Sequence, residues 1–213
     1  MSGEIDEFPS FPKIPRLFRS CIITEKLDGT NGLIRISEDG SVRAGSRSRW
    51  LTPGKDDNYG FAQWVFEHQA ELLALGPGNH YGEWWGRGIQ RNYGLSERRF
   101  SLFNVRRYRD PSVPGDWFGL SVDENTKQPV HRIDIPACVH LVPILARGIF
   151  SDELVRECLD LLRRIGSRAS VPGKPPAVAA VPEFMKPEGV VVYHEVANRS
   201  FKVLCENDDV RKG

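Results

Sequence analysis

Thr24-Glu25-Lys26-Leu27-Asp28-Gly29-Thr30-Asn31-Gly32 is a short polar turn that carries one lysine between two runs of β-favouring residues. A lysine amine attacks phosphorus only when it is neutral, so a nucleophilic lysine needs burial, nearby cations or a metal to lower its pKa. Asp28 could hold a divalent cation, and Gly29 is expected to permit a sharp turn that presents both side chains together. A plain hairpin turn with an exposed ion pair is the alternative, and the motif taken alone favours it.

Short β-favouring runs recur along the chain and predict a mostly antiparallel set of strands. Those around the lysine cover residues 21–24, 33–36 and 41–44, with a hairpin turn at 38–40. Further strands are predicted at residues 80–84, 100–105, 189–193 and 201–204. Proline-rich residues 1–20 and 166–187 predict an extended arm and a surface loop, and residues 110–130 predict another loop.

Two segments have the apolar spacing of amphipathic helices. The first begins at Phe61, has Asp57 or Asn58 available as N-cap, and stops at Gly76. The second covers residues 151–165, with acidic residues in its first turn. The combination predicts an α+β fold in which antiparallel sheets are flanked by helices, as a single domain over residues 1–213.

The composition of the chain indicates where the protein is located in the cell, and its charge distribution shows one arginine-rich segment. The 213 residues have a formal net charge of +1, yet seven arginines lie between residues 87 and 109 against a single carboxylate, Glu97. This segment could attract a polyanion, or its arginines could pair with nearby acidic residues. The four cysteines form no CxxC pair, and no uncharged run is long enough to cross a membrane. These features predict a cytoplasmic protein with reduced cysteines and no membrane partner.

Six segments, in order, resemble the motifs of the covalent nucleotidyltransferase superfamily, most closely its RNA ligase branch. In that family the motif I lysine becomes linked to AMP. The glutamate before the lysine and the asparagine five residues after it match RNA ligases better than capping enzymes. The segments are Glu25-Lys26-Leu27-Asp28-Gly29-Thr30-Asn31 (motif I), Ser46-Arg47, Tyr81-Gly82-Glu83-Trp84 (motif III), Phe100-Ser101-Leu102-Phe103-Asn104-Val105 (motif IIIa), Pro187-Glu188-Gly189-Val190-Val191-Val192 (motif IV) and Phe201-Lys202-Val203-Leu204 (motif V).

The resemblance implies a role for each matched residue, with Lys26 as the nucleophile that carries AMP. Asp28 and Glu188 are expected to bind Mg²⁺ or Mn²⁺, because oxygen ligands without a His or Cys cluster suit these ions. Asn31 is expected to position the reacting ends. The implied nucleotide-binding residues are Glu25, Lys26, Arg47 with Arg49 as a close competitor, Glu83 at the ribose, Phe103 stacked on adenine, and Lys202.

The resemblance thus implies an ATP-dependent RNA ligase that joins 5′-phosphate and 3′-hydroxyl RNA ends through a lysyl-AMP and an RNA-adenylate. Two departures keep alternatives open. Leu204 stands where motif V commonly has a second lysine, for which Arg199 could substitute, and the chain ends soon after motif V, without a C-terminal oligonucleotide-binding or helical domain. The alternatives are an RNA-end adenylyltransferase that does not seal, and a degenerate module that binds nucleotide or RNA ends.

Without an appended domain, RNA is expected to be held by the catalytic domain itself, which is predicted to be a monomer. The candidates for RNA contact are the arginine-rich segment 87–109, the basic residues Arg163, Arg164 and Arg168, and the tryptophans Trp50, Trp84 and Trp85.

Overall fold

A computed structural model describes residues 10–111, 132–169 and 184–206. Most of the two predicted loops, 110–130 and 166–187, and part of the predicted N-terminal arm therefore lie outside the described residues. The strands are β1 Ser20–Lys26, β2 Thr30–Ile36, β3 Val42–Gly45, β4 Gly78–Gly86, β5 Arg98–Leu102, β6 Tyr108–Arg109, β7 Ile133–Asp134, β8 His140–Leu141, β9 Ile144–Ile149, β10 Gly189–His194 and β11 Arg199–Leu204. The helices are α1 Phe61–Glu67, α2 Gln69–Leu72 and α3 Asp152–Ile165, and a 3₁₀ turn covers Leu73–Leu75.

One sheet has four antiparallel strands in the order β11-β10-β1-β9. Alternation along β10 turns Val190 and Val192 towards the apolar face of α3, where they pack with Leu159 and Leu162. Ser151 caps this helix by accepting a hydrogen bond from the Leu154 backbone N–H at 3.1 Å. The predicted second helix and the two closing strands are thus present.

The other large sheet has the order β3-β2-β4-β5-β8 and is antiparallel except for the β5–β8 pair. Helices α1 and α2 cover one face, where Phe61 and Val65 pack with Ile34, Trp84 and Phe100. The opposite face of this sheet carries Asn31 and Glu83, two of the residues predicted from the motifs. A third apolar cluster, which includes Ile22, Leu27, Trp85 and Val142, joins the two sheets at their base.

The predicted α+β class with largely antiparallel sheets is confirmed, but some boundaries were wrong. The first predicted helix is interrupted at His68, because the backbone of this residue does not have helical dihedral angles. The His68 side chain turns back on the preceding turn, with its Nδ1 2.8 Å from the Trp64 carbonyl oxygen. Strand β5 ends at Leu102, so Phe103 lies just beyond it. Strand β9 was not predicted, because Ala146, Arg147 and Gly148 interrupt its β-favouring residues. No helix among the described residues is long and apolar enough to span a membrane.

Candidate active site

A cavity of about 1210 Å³ lies between the two large sheets and receives side chains from both. Its floor includes Ile22 and Val142 from the apolar cluster that joins the sheets. Several residues predicted from motifs line it, and they come from five separate segments of the chain. These residues are Glu25, Lys26, Asn31, Arg47, Glu83, Phe103 and Lys202.

Lys26 lies at the end of β1, and its amine forms an ion pair with Glu188 Oε2. The β1–β10 ladder creates this contact, because Lys26 pairs with Gly189, the residue after Glu188. The Lys26 and Glu188 side chains are only 23% and 12% exposed, so solvent screens their attraction weakly. The structure therefore holds the amine beside a carboxylate at the cavity, unlike the solvent-exposed pair of a plain hairpin turn.

Glu83 lies beside this pair on β4, directly opposite Asn31 of β2. Its Oε1 accepts a hydrogen bond from the Gly29 backbone N–H at 3.0 Å, and its Oε2 lies 3.5 Å from Asn31 Nδ2. Burial raises the pKa of Glu83 to about 7, and the negative charges of Glu188 and Asp28 act in the same direction. Glu83 thus lies close enough to Lys26, Glu188 and Asp28 for their charges to influence its pKa.

Asp28 is held by a loop between β4 and β5. Arg91 Nε lies 2.8 Å from Asp28 Oδ2, and the Asp28 backbone N–H donates to the Tyr93 hydroxyl at 2.8 Å. The Arg91 guanidinium also donates to the Lys186 carbonyl at 3.0 Å, two residues before Glu188. Motif I and motif IV are thus joined through one arginine, whose role no local sequence signal indicated.

Gly29 has a different role from the one expected. It is not one of the glycines with positive φ. A Cβ at this position would lie 2.4 Å from the Trp84 carbonyl oxygen and 2.7 Å from Trp85 Cβ. Gly29 is therefore required by the close approach of the motif I turn to β4, and not by a sharp turn of the backbone.

The nucleotide-binding candidates lie on both sides of the cavity. Arg47 and Phe103 line it from the five-stranded sheet, and Lys202 lines it from β11. Arg49, the competitor of Arg47, has its Nη1 3.7 Å from Asp56 Oδ1. Val191 also lines the cavity and was missed, although its position between the buried Val190 and Val192 places it on the other face of β10.

Glu25 differs from the other candidates in being buried, with 1% of its surface exposed. Its Oε2 accepts a hydrogen bond from the Arg168 backbone N–H at 2.8 Å. Burial raises the pKa of Glu25 to about 7. The carboxylate thus links β1 to the segment that follows α3, and a direct nucleotide contact by Glu25 stays a prediction.

Most side chains of the arginine-rich segment 87–109 have partners within the protein, as the second interpretation of its charge predicted. Ion pairs join Arg91 to Asp28, Arg99 to Glu97, Arg106 to Glu195 and Arg109 to Asp134. Arg98 donates to the carbonyl oxygens of Arg87 and Tyr59. Arg106 and Arg107 also line the cavity, so this part of the segment remains beside the site.

The tryptophans and the basic residues after α3 also differ in exposure. Trp84 and Trp85 are buried, whereas Trp50 is 46% exposed. Arg168 is buried beside Glu25, and Arg163 donates to the carbonyl oxygen of Cys205. Trp50 is therefore the one of the three tryptophan candidates with a broad accessible surface.

The carboxylates near Lys26 suit a divalent cation whose remaining ligands are phosphate oxygens of a bound nucleotide and water. No cluster of three or more His, Cys, Asp or Glu side chains arranged to hold a metal occurs within residues 10–111, 132–169 and 184–206. Mg²⁺ is commonly bound by one or two carboxylates together with phosphate oxygens and water. Glu188 and Asp28 fit that pattern as oxygen donors, although Asp28 Oδ2 already contacts Arg91.

Comparison with known protein families gives a match over most of the chain. The family model described as RNA ligase matches residues 19–204. This chain belongs to the RNA ligase family. The match includes all six motif segments. A search of curated protein sequences finds no significant match for this RNA ligase family member.

Solved structures of an RNA ligase from Naegleria gruberi share the fold. An apo aspartate-to-alanine mutant aligns with a TM-score of 0.52 and 18% identity, over 88% of this chain and 50% of that chain. A lysine-to-methionine mutant with AMP and Mn aligns with a TM-score of 0.51 and 17% identity, again over 88% and 50%. This RNA ligase family member thus spans about half the length of the structures it matches.

Proposed function

We propose that this chain is the nucleotidyltransferase domain of an ATP-dependent RNA ligase. In the first step the Lys26 amine attacks the α-phosphorus of ATP and pyrophosphate leaves. In the second step AMP passes from the lysine to an RNA 5′-phosphate. In the third step an RNA 3′-hydroxyl attacks the activated end and AMP leaves. Family membership supports this proposal, and a Naegleria gruberi relative of the same fold was solved with ATP and Mn.

The observation that carries the proposal is the place of Lys26 at the cavity, against the carboxylate of Glu188. Attack forms a bond between Nζ and phosphorus while the bond from phosphorus to the bridging oxygen of pyrophosphate breaks. The amine must lose a proton to become nucleophilic. Glu188 contacts the amine and is also a candidate metal ligand, so a cation bound there would favour the neutral amine.

The remaining cavity residues would hold the nucleotide around this amine. Phe103 and Val191 line the cavity from opposite sheets and would pack against the base, while Glu83 would accept a hydrogen bond from a ribose hydroxyl. Arg47 and Lys202 would neutralise charge on the phosphates, which increases as the α-phosphate is attacked.

A bound Mg²⁺ or Mn²⁺ would be held by Glu188 and Asp28 and would neutralise charge on the phosphate oxygens. Glu188 beside the Lys26 amine and Asp28 in the motif I turn support such an ion as carboxylate oxygen donors. Asn31 contacts Glu83 at the cavity and would orient the reacting ends in the later steps.

Intact-protein mass after incubation with ATP and Mg²⁺ or Mn²⁺ tests the first step. We expect a gain of one AMP that peptide mapping places on Lys26, and no gain for Lys26→Ala. Lys55→Ala, which removes an exposed lysine outside the cavity, should still gain AMP. An unlabelled wild-type protein, first freed of any bound AMP, would instead favour a degenerate binding module.

A second experiment separates sealing from adenylyl transfer alone. A 5′-phosphorylated RNA with a 3′-hydroxyl acceptor should be converted to a joined product, with adenylylated RNA present only transiently. Accumulation of adenylylated RNA without joining would support an RNA-end adenylyltransferase instead of a ligase.

A further inference from the structure

One face of the five-stranded sheet continues from the cavity towards β3. Asn31 and Glu83 are direct partners across β2 and β4, and the same ladder pairs Arg35 with Asn79. The adjoining ladder pairs Arg35 with Arg43 of β3. Residues directly opposite in antiparallel strands, and those two apart along a strand, share a face. Arg35 and Arg43 therefore lie on the cavity-lining face, at its outer end.

The two arginines repel each other across the β2–β3 pair, and a bound anion would reduce this repulsion. Like charges directly opposite in a sheet destabilise the strand pair. Arg35 Nη1 donates to Asn79 Oδ1 at 3.1 Å. None of the ion pairs among the described residues involves Arg35 or Arg43. The sheet therefore presents a concentrated positive charge beside the cavity.

Trp50 lies next to this pair in a well-defined position. It forms a β-bridge with Gly45, and the turn between them is closed by the Ser46 backbone N–H donating to the Arg49 carbonyl at 2.8 Å. The Arg43 guanidinium carbon lies 4.0 Å from the centre of the Trp50 ring, and the residue is nevertheless 46% exposed. An aromatic surface is thus held open to solvent by a short, hydrogen-bonded turn that also carries Arg47.

We propose that Arg35, Arg43 and Trp50 form a docking track for single-stranded RNA, leading away from the cavity. The two guanidinium groups would bind backbone phosphates, and the accessible Trp50 surface would stack on a base. An RNA strand whose end lies at Lys26 must leave the cavity across its edge. The sheet face that carries Arg35 and Arg43 is continuous with the cavity residues Asn31 and Glu83, so it offers such an exit. The inference rests on the proposed function.

Fluorescence anisotropy with a labelled, 5′-phosphorylated oligoribonucleotide of about 12 nucleotides tests the track. Trp50→Ala should weaken binding about 5- to 150-fold without changing the slope of log affinity against log salt. Arg35→Gln and Arg43→Gln should each weaken binding and reduce that slope by about 0.7. Phe18→Ala and Arg156→Gln, which change an exposed aromatic residue and an exposed helix α3 arginine, serve as matched controls and should bind as the wild type does.

Crosslinking of wild-type protein to an iodouridine-substituted RNA provides a test that does not depend on variants that fold. We expect the main crosslinked peptide to contain Trp50. Crosslinks confined to other segments, or Trp50→Ala binding with wild-type affinity, would overturn the track.

Self-adenylylation separates this inference from the proposed function. The three track variants should gain AMP at the wild-type rate and at the wild-type ATP requirement. Arginine variants that need more ATP but bind RNA normally would show that the guanidinium groups hold nucleotide phosphates, and would overturn the track. A wild-type protein that binds RNA through Trp50 but gains no AMP would overturn the proposed function alone.

Discussion

Arg91 holds Asp28 with its Nε 2.8 Å from the carboxylate oxygen Oδ2. Because the same guanidinium donates to the Lys186 carbonyl at 3.0 Å, it connects the turn after Lys26 with the segment that leads to Glu188. The loop that carries it has positive φ at Gln90, Asn92 and Tyr93, an uncommon conformation for residues other than glycine. Such strain persists only where the surroundings maintain it.

Buried side chains on either side of Arg91 hold this loop in its strained conformation. Ile89 and Tyr93 are 0% and 1% exposed, and the Tyr93 ring packs against Trp85 and Phe184 with ring centres 4.9 and 4.7 Å apart. The loop is therefore fixed at both ends of the segment that carries Arg91, so it can position Asp28 relative to Glu188.

Arg91→Gln should slow self-adenylylation at saturating ATP by about tenfold or more, because small displacements of reacting groups cost that much. The Mn²⁺ concentration needed for half-maximal rate should also change, since Asp28 would lose its partner. The free energy of unfolding should fall by less than about 1 kcal/mol, because the ion pair is partly exposed. Arg87→Gln, in the same loop, is the control. Wild-type kinetics for Arg91→Gln would show that the ion pair has no positioning role.

Glu83→Gln should change the pH dependence of stability. The pKa of Glu83 is raised by burial from 4.5 to about 7, so between these pH values the folded state binds more protons than the unfolded state. The free energy of unfolding therefore falls as pH rises through this window. Glutamine cannot ionise, so the wild type should lose about 3 kcal/mol more than the variant between pH 4.5 and 8.

Urea unfolding at several pH values measures this difference. Glu25 contributes in the same direction and remains in Glu83→Gln, so the variant should retain part of the pH dependence. Glu38→Gln changes an exposed carboxylate in the turn between β2 and β3 and should follow the wild type. Parallel pH profiles for wild type and Glu83→Gln would contradict the raised pKa.

Phe103→Ala should raise the KM for ATP in self-adenylylation about tenfold or more, because removing a stacked ring costs on the order of 1–3 kcal/mol per base. Phe103→Trp should restore much of the affinity. Phe66→Ala removes an exposed ring on α1, outside the cavity, and should leave KM unchanged. An unaltered KM for Phe103→Ala would place the adenine elsewhere in the cavity.

Gly29→Ala should destabilise the fold by about 2 kcal/mol or more and abolish adenylylation, because the new Cβ would overlap the Trp84 carbonyl oxygen. Gly54→Ala is a useful comparison. Gly54 has φ of 76° and no atom within 4 Å of a built Cβ, so alanine there should cost only about 1 kcal/mol, from the backbone conformation alone. Thermal and urea unfolding distinguish the two, and equal costs would contradict the packing argument.

Local patterns were enough to place the motifs on the right kinds of elements. The run of β-branched residues Val190, Val191 and Val192 predicts a strand, and the spacing of apolar residues predicts α3. Both signals depend only on residues close in sequence. For the same reason the spacing reveals the apolar face of α3 but not the strands that it covers, and the valine run does not reveal which face of β10 is buried.

The positions of the site residues relative to one another depend on contacts between segments that are far apart in sequence. The Lys26–Glu188 contact depends on the register of β1 against β10, and the Arg91–Asp28 contact depends on a loop that returns to the motif I turn. Whether an arginine binds a carboxylate in its own chain or remains available to RNA depends on which side chains lie within a few ångströms. Strand order and register set those distances, and charge along the sequence does not reveal them.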